Sequence, residues 1–353
     1  MPFGISMPGH TLTLASGGPV TDPGGIQAAS LLLAGPGTFT LTDPQNDVGV
    51  LAMLNAGNVH FLDSHGFTIG PVTGQIYSTT SGAPTFLDGT SSAMTGNLVA
   101  QAMDGIIGLN GSLSAGGTVD LVMQNGVFVV NPNGALSAAN GWRIWASTWV
   151  GETRGNVQPN TAQPNFYGCT FGAGCSWVGT VPASGDHYVY LARPTVTVTA
   201  AGNVRIAGAP NPVFTFSTSG LINGDTANGA LSGTLTTTAT RNSAPGKYPI
   251  DPNFMSTVGY IVDEVPGTLS VTLVNPVSQS GLQTFFGSQQ QTFVYENNLQ
   301  GTNICIGSNQ PIFSTAPLGD TPDLLSVEWK RVRSQPNLNS CMLTSGQHGC
   351  GDF

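Results

Sequence analysis

The chain has 353 residues, enough for two or three domains, yet only 8% of them are charged and the net charge is −9. Glycine is abundant, at 48 residues, and 40% of the chain is hydrophobic, so low charge here does not mean disorder. Lysine occurs only at Lys247 and Lys330, and the densest basic run is Lys330-Arg331-Val332-Arg333, too sparse to neutralise a phosphate backbone; nucleic acid is excluded as a partner.

From the start to about residue 140 the chain reads as short β-runs cut by Gly, Asn and Asp. They are Thr11–Leu14, Ser30–Leu33, Thr38–Leu41, Val48–Ala52, Val59–Leu62 and Phe67–Ile69, then Ile106–Leu109, Gly111–Ser114, Thr118–Leu121 and Val127–Val130. Most alternate apolar with small or polar residues, the period of a half-buried strand. Met94 to Ile107 is the best helical candidate, weakened by Gly96 and Gly105. Strands this short cannot bury a face alone, but stacked coils of roughly 20 residues each can. The expected fold is all-β: a right-handed parallel β-helix over 1–140. An antiparallel sandwich has similar local signals.

Aromatics gather next, over 141–192: Trp142, Trp145, Trp149, Phe166, Tyr167, Phe171, Trp177, Tyr188 and Tyr190. A solenoid end exposes apolar core and must be covered, so this stretch is expected to be a cap. Trp142, Trp145, Trp149 and Trp177 are also the candidates for stacking on sugar rings. Residues 193–275 hold strand-like runs at Pro194–Thr199, Val213–Phe216, Leu221–Thr226, Leu235–Ala239 and Thr268–Leu273, the pattern of a compact all-β module. The tail, 276–353, carries strand-like runs at Thr284–Phe286, Thr292–Tyr295 and Leu325–Trp329.

The cysteines form two local pairs, Cys169/Cys175 and Cys341/Cys350, each able to close a short loop in an oxidising compartment, while Cys305 stands alone. Five cysteines do not determine a connectivity. Zinc would need further ligands at suitable spacing, and only His348 lies near Cys350. The first residues lack the charged and apolar regions of a signal peptide, so export would rely on a signal upstream; the cysteines and repeats favour export over a cytoplasmic location.

Catalytic patterns are weak. Asp63-Ser64-His65 and Ser184-Gly185-Asp186-His187 place triad residue types together, but neighbours in sequence do not make a triad and neither serine sits in a nucleophile elbow. A β-helix lyase or glycosidase needs paired carboxylates on one face. Here Asp22, Asp43, Asp47, Asp63, Asp88, Asp104 and Asp120 are scattered, mostly beside turn residues. The expectation is a protein without catalytic residues, cofactor or metal. Asn223-Gly224-Asp225 reads as a turn.

Three stretches in order carry a resemblance. Residues 11–74 resemble the repeats of filamentous-haemagglutinin-type proteins: Leu12-Thr13-Leu14 followed by Gly17-Gly18, then Phe39-Thr40-Leu41-Thr42, then Asn46 to Leu51. Residues 141–199 resemble the stretch where such repeats end, with Gly141-Trp142-Arg143-Ile144-Trp145, Tyr188-Val189-Tyr190 and Pro194 to Val198. Residues 200–273 resemble an MBG-type repeat of bacterial adhesins, with Ser219 to Thr226, Gly246 to Ile250 and Gly267 to Thr272. The resemblance implies the C-terminal region of a two-partner-secreted adhesin at the bacterial cell surface, with a role in adhesion or biofilm. Its partners would be polysaccharide or a host-surface glycan, further copies of itself, and an outer-membrane secretion partner. It also implies that Cys341 and Cys350, close to the C-terminus, form a hook that holds the chain at the outer membrane. The family's N-terminal secretion domain is missing from these residues; Asn131-Pro132-Asn133-Gly134 is similar to one of its motifs but reads as a rung turn. Two rival functions are a self-assembling filament subunit and a polysaccharide-active enzyme.

Overall fold

The computed structural model describes residues 4–22, 24–77 and 81–273, and the backbone of 340–341 and 350–351. The chain divides into two units, Met1–Leu273 and Val274–Phe353. In the second, Ser340–Cys341 pairs antiparallel with Cys350–Gly351, with Cys341 opposite Cys350. The readings at Cys305, Thr284–Phe286, Thr292–Tyr295 and Leu325–Trp329 lie outside the described residues.

The first unit opens with a shaft of parallel strands. One sheet runs through Val20–Thr21, Phe39–Leu41, Val59–Asp63, Leu98–Ala102, Val119–Met123, Trp142–Ala146 and His187–Tyr190, ending on Asn165–Tyr167. The other begins with three long strands, Ile5–Ala15, Ile26–Ala34 and Asp47–Ala56, and divides at the third. The first half of that strand pairs with Phe67–Ile69, then Ile107–Leu109 and Phe128–Val130; its second half pairs with Ser92–Met94, then Ser112–Ala115 and Ala135–Ala138. A coil of two walls thereby becomes a coil of three. The pitch is about 20 residues: Gln27 lies beside Asp47, Phe39 beside Val59 and Leu98 beside Val119. This is the parallel β-helix that the strand spacing predicts.

Period-2 alternation puts one face of every strand inside. Leu41, Phe61, Ala100, Leu121, Ile144 and Tyr188 form a single inward file, one residue per rung. All six are buried. Phe61 lies next to Ala100 in this file and packs edge-on against Phe67, with ring centroids 5.2 Å apart. The small residue gives the large ring its volume. The helical reading of Met94 to Ile107 is overturned, because Leu98, Ala100 and Ala102 alternate inward as a strand.

Corners expose backbone groups that neither wall pairs, and Asn and Asp side chains take them. Asn97 N–H donates to Asn58 Oδ1 at 2.8 Å, and Thr118 N–H donates to Asn97 Oδ1 at 2.8 Å, so one corner is a ladder across three rungs. Asp22 accepts the N–H groups of Thr42 and Asp43, at 3.1 and 3.0 Å. Fully buried Asn46 accepts from Ile26 N–H and donates to Leu62 O. The aspartates of the first rungs thus serve turns, as their neighbours in sequence indicate.

Two rungs carry insertions. The first is a hairpin, Val72–Tyr77 against Pro84–Gly89, which the sequence reading did not include. It lies over the outer face of the long strands, where Leu32 and Ala52 join Val72 in a small second core. Gly74 makes this approach feasible, since a Cβ there would strike the Thr13 side-chain oxygen. The second insertion separates Ala146 from His187 and closes the shaft.

Beyond the shaft, two small sheets form the module. Phe216–Ser219, Thr195–Ala200 and Ile261–Val265 make one; Asn203–Ile206, Gly267–Thr272, Gly246–Ser256 and Leu231–Thr236 make the other. Leu221–Thr226, read above as strand-like, is a turn that leads into the short helix Ala227–Ala230. Asn223 there has a positive φ of 55°, a conformation that Asn tolerates better than most residues and that ends strand geometry.

Asp63 gives the shaft a pH dependence. Its side chain is buried and accepts from Val48 N–H at 2.8 Å and His65 N–H at 3.0 Å. Burial raises its pKa from 3.8 to about 6, against the pull of those two hydrogen bonds. Between these values the folded chain keeps a proton that the unfolded chain has released, so this group's contribution to stability falls as pH rises from about 4 through 6. Relative to an Asp63→Asn variant, the native protein should lose up to roughly 3 kcal/mol between pH 4 and 7. Denaturant unfolding of both proteins across that range checks it; a difference independent of pH would refute the assignment.

Candidate functional site

The four candidate tryptophans do not share one surface. Trp142 and Trp145 are three apart on one strand, so they face opposite ways. Trp142 points into the shaft, 2% exposed, edge-on to Tyr188 at 5.3 Å, and offers no face to a ligand. Trp149 is half-buried between Tyr167 and Tyr190, with centroids at 5.6 and 5.8 Å. Trp177 is half-buried and donates its indole N–H to Tyr167 O at 2.7 Å. Trp145 lies on the outer face of the shaft and donates its indole N–H to Asp120 Oδ1 at 2.9 Å. Asp120 is held in turn by a two-pronged pair with Arg143, at 2.8 and 2.7 Å.

The inward aromatics close the shaft. Tyr188 and Tyr190 lie on the strand before the last, with nearly parallel rings 6.4 Å apart, and Tyr167 of the last strand stacks on Tyr190 at 5.5 Å. Hydroxyls this deep need partners. Tyr188 donates to Val157 O, and Tyr190 donates to the Glu152 carboxylate, each at 2.8–2.9 Å. Arg154 donates to Glu152 at 2.6 Å and to Asn165 Oδ1 at 2.9 Å, with its guanidinium 4.0 Å above the Tyr188 ring. Burial pushes the Tyr188 and Tyr190 pKa values up, keeping both as donors.

Asp225 joins this cap to the module. Tyr167 and Tyr260 each donate a hydroxyl to its Oδ2 at 2.8 Å, and Asn165 Nδ2 donates to its Oδ1 at 2.7 Å. Burial pushes the Tyr260 hydroxyl up to about 12. Arg193 donates to the Gly259 and Tyr260 carbonyls, at 2.7 and 3.0 Å. The apolar core runs through the same junction, from Phe128 and Tyr188 to Tyr260, Val196 and Leu231. The carboxylate of the Asn223-Gly224-Asp225 turn is therefore committed to three internal donors. Nothing in the local sequence ties it to tyrosines some 35 to 58 residues away.

Cys169 and Cys175 are disulfide-bonded and face each other in a two-residue antiparallel ladder. The loop they close carries Phe171, whose ring meets Trp145 at 5.5 Å and 73°. Between them and the shaft wall is a groove of about 200 Å³, which Gln101, Val122, Gln124 and Thr170 also line.

The triad-like sequences have other duties. Ser64 donates its hydroxyl proton to Asn46 O at 2.6 Å, so the 2.9 Å contact with His65 Nδ1 leaves serine as the acceptor, the reverse of activation. Asp63 is occupied by backbone donors. Both ring nitrogens of His187 face carbonyl oxygens, those of Gln163 at 3.0 Å and Ser184 at 3.1 Å. Among the described residues no three His, Cys, Asp or Glu side chains gather as a metal site, and no helix is long and apolar enough to cross a membrane.

Residues 196–270 match the family model of the MBG domain (YGX type). The module is an MBG domain. Such domains belong to bacterial surface and adhesin-type proteins, which makes an extracellular, surface-associated protein the coarse reading. The matched span covers the two module sheets almost from end to end, from within Thr195–Ala200 to within Gly267–Thr272. Comparison with curated proteins and comparison with solved structures each return no match.

Asp225→Ala would remove the charged acceptor shared by two tyrosine hydroxyls and an amide at the junction, leaving each with weaker partners. It should cost about 2–4 kcal/mol and let the MBG domain unfold ahead of the shaft. Limited proteolysis across a urea series would show early cleavage within 196–270; one unchanged cooperative transition would count against the junction.

Proposed function

We propose that the protein is a non-enzymatic, secreted bacterial surface adhesin or biofilm-matrix protein, in which the β-helix is a spacer and the MBG domain is the part held outward. The observation that supports this most is the junction at Asp225. A flexible tether would let the domain tumble, whereas shared core and charged hydrogen bonds hold it to the end of the shaft. At Ser64 the hydroxyl donates to Asn46 O rather than to a base, which fits a binding role. The resemblance of the rungs to filamentous haemagglutinins favours export by two-partner secretion, with polysaccharide or a host-surface glycan as the partner.

Beads coated with the full chain should attach to glycan-bearing surfaces in a saturable way, while the free chain stays unassembled in electron micrographs. Concentration-dependent fibres without any ligand would favour the filament subunit instead. Release of reducing ends from a polysaccharide panel would overturn the non-enzymatic reading.

In the tail, a loop closed by Cys341 and Cys350 would resist threading through a secretion pore, because threading needs extended chain. Cys350→Ser should raise the amount of protein shed into the medium several-fold, read by immunoblot of culture supernatants. Unchanged shedding would argue against the hook.

A further inference from the structure

The shaft wall that ends at Trp145 presents a second file, pointing outward. Leu62, Gln101, Val122 and Trp145 follow one another on adjacent rungs. Adjacent rungs are about 4.8 Å apart. At Trp145 the disulfide loop brings Phe171 against this file and turns a flat wall into a groove.

The lining is uncharged throughout. Two aromatic rings meet at a corner, Gln101 and Gln124 offer side-chain amides, Thr170 offers a hydroxyl, and no charged side chain takes part. A sugar ring has apolar C–H faces and a rim of hydroxyls. Aromatic faces take the first, and amides both donate to and accept from the second. An acidic or phosphorylated ligand would find no cation here. At about 200 Å³ the groove suits one sugar ring rather than a larger rigid ligand.

The groove is also held in shape before any ligand arrives. The Trp145 indole is tied to Asp120, and Asp120 is locked by Arg143. Phe171 sits on a loop closed by Cys169–Cys175. The Gln101 amide lies 3.0 Å from His60 Nε2, on the neighbouring rung. Fixed side chains lose little entropy on binding.

We propose that this groove binds an uncharged polysaccharide, with one sugar ring in the Trp145–Phe171 corner and the chain running down the shaft past Gln101. A polymer is favoured over a short branched glycan because the outward file continues from rung to rung at a spacing close to the repeat of an extended sugar chain. The proposal rests on the adhesin reading and places the contact on the shaft rather than on the MBG domain.

Native electrophoresis of the full chain through gels containing dextran, mannan or soluble β-glucan, with alginate and polygalacturonate as acidic controls, tests it. At least one uncharged polymer should retard the protein, and the acidic ones should not. Phe171→Ala and Gln101→Ala should each weaken retardation about tenfold, and Trp145→Ala should abolish it. Met255→Ala, at an exposed position on the MBG domain, should change nothing. Phe171 lies on a surface loop, so its variant stays informative even where Trp145→Ala misfolds, which circular dichroism would reveal. Retardation by no uncharged polymer, retardation only by a desialylated glycoprotein included in the gel, or retardation that Phe171→Ala and Gln101→Ala leave unchanged would overturn the proposal. Bead attachment that survives these two variants would end the groove proposal and leave the adhesin reading standing.

Discussion

Everything in the shaft depends on the pairing of each short strand with the strand one rung away. Strands such as Phe39–Leu41 and Phe67–Ile69 have three residues, too few to bury a face or satisfy a backbone by themselves. Parallel neighbours above and below supply both needs, and the inward file from Leu41 to Tyr188 makes the core continuous along the shaft. The same constraint explains the low charge. Walls need few charges outward, and most corner hydrogen bonds come from neutral amides, those of Asn58, Asn97 and Asn46, which carry a smaller desolvation cost than charged side chains would.

A solenoid has an end, and the end is where this chain concentrates its polar burial. The last rungs hold tyrosines, and tyrosines bring hydroxyls that must be met inside a nearly dry core. Glu152, Arg154, Asp225 and the Val157 carbonyl meet them. Since Asp225 and Tyr260 come from the MBG domain, satisfying the cap also attaches that domain. One set of hydrogen bonds closes the shaft and sets the direction in which the domain is presented. The neighbouring disulfide loop sits on the outer wall at the same level, so the outward groove and the inward cap are two sides of the last rungs.

The rungs were legible because their signal is local. Alternation within Val59–Asp63 or Val119–Met123 shows in five residues, and Gly, Asn and Asp mark each corner. The MBG domain was legible for a similar reason, as ordered motifs along one stretch. The hairpin at Val72–Tyr77 and Pro84–Gly89 was hidden, since its reason for existing is the outward apolar pair Leu32 and Ala52, a long way back in the chain. The aromatics of 141–192 were visible as a cluster, yet nothing in their spacing separates inward Trp142 from the groove-lining Trp145 except the strand that carries both.

By itself the sequence determined the all-β character, the rung length and the turn role of aspartates such as Asp22 and Asp43, because each follows from residues within a few positions of one another, and it offered Cys169 and Cys175 as a local pair without fixing the connectivity. Only the tertiary structure decided which tryptophan faces out, that Asp225 is the meeting point of three donors, and that Phe171 comes to rest beside Trp145. Those outcomes join residues that a rung, a cap and a crosslinked loop bring together in space. The free energy that selects them is packing and desolvation summed over distant partners, which no local pattern records.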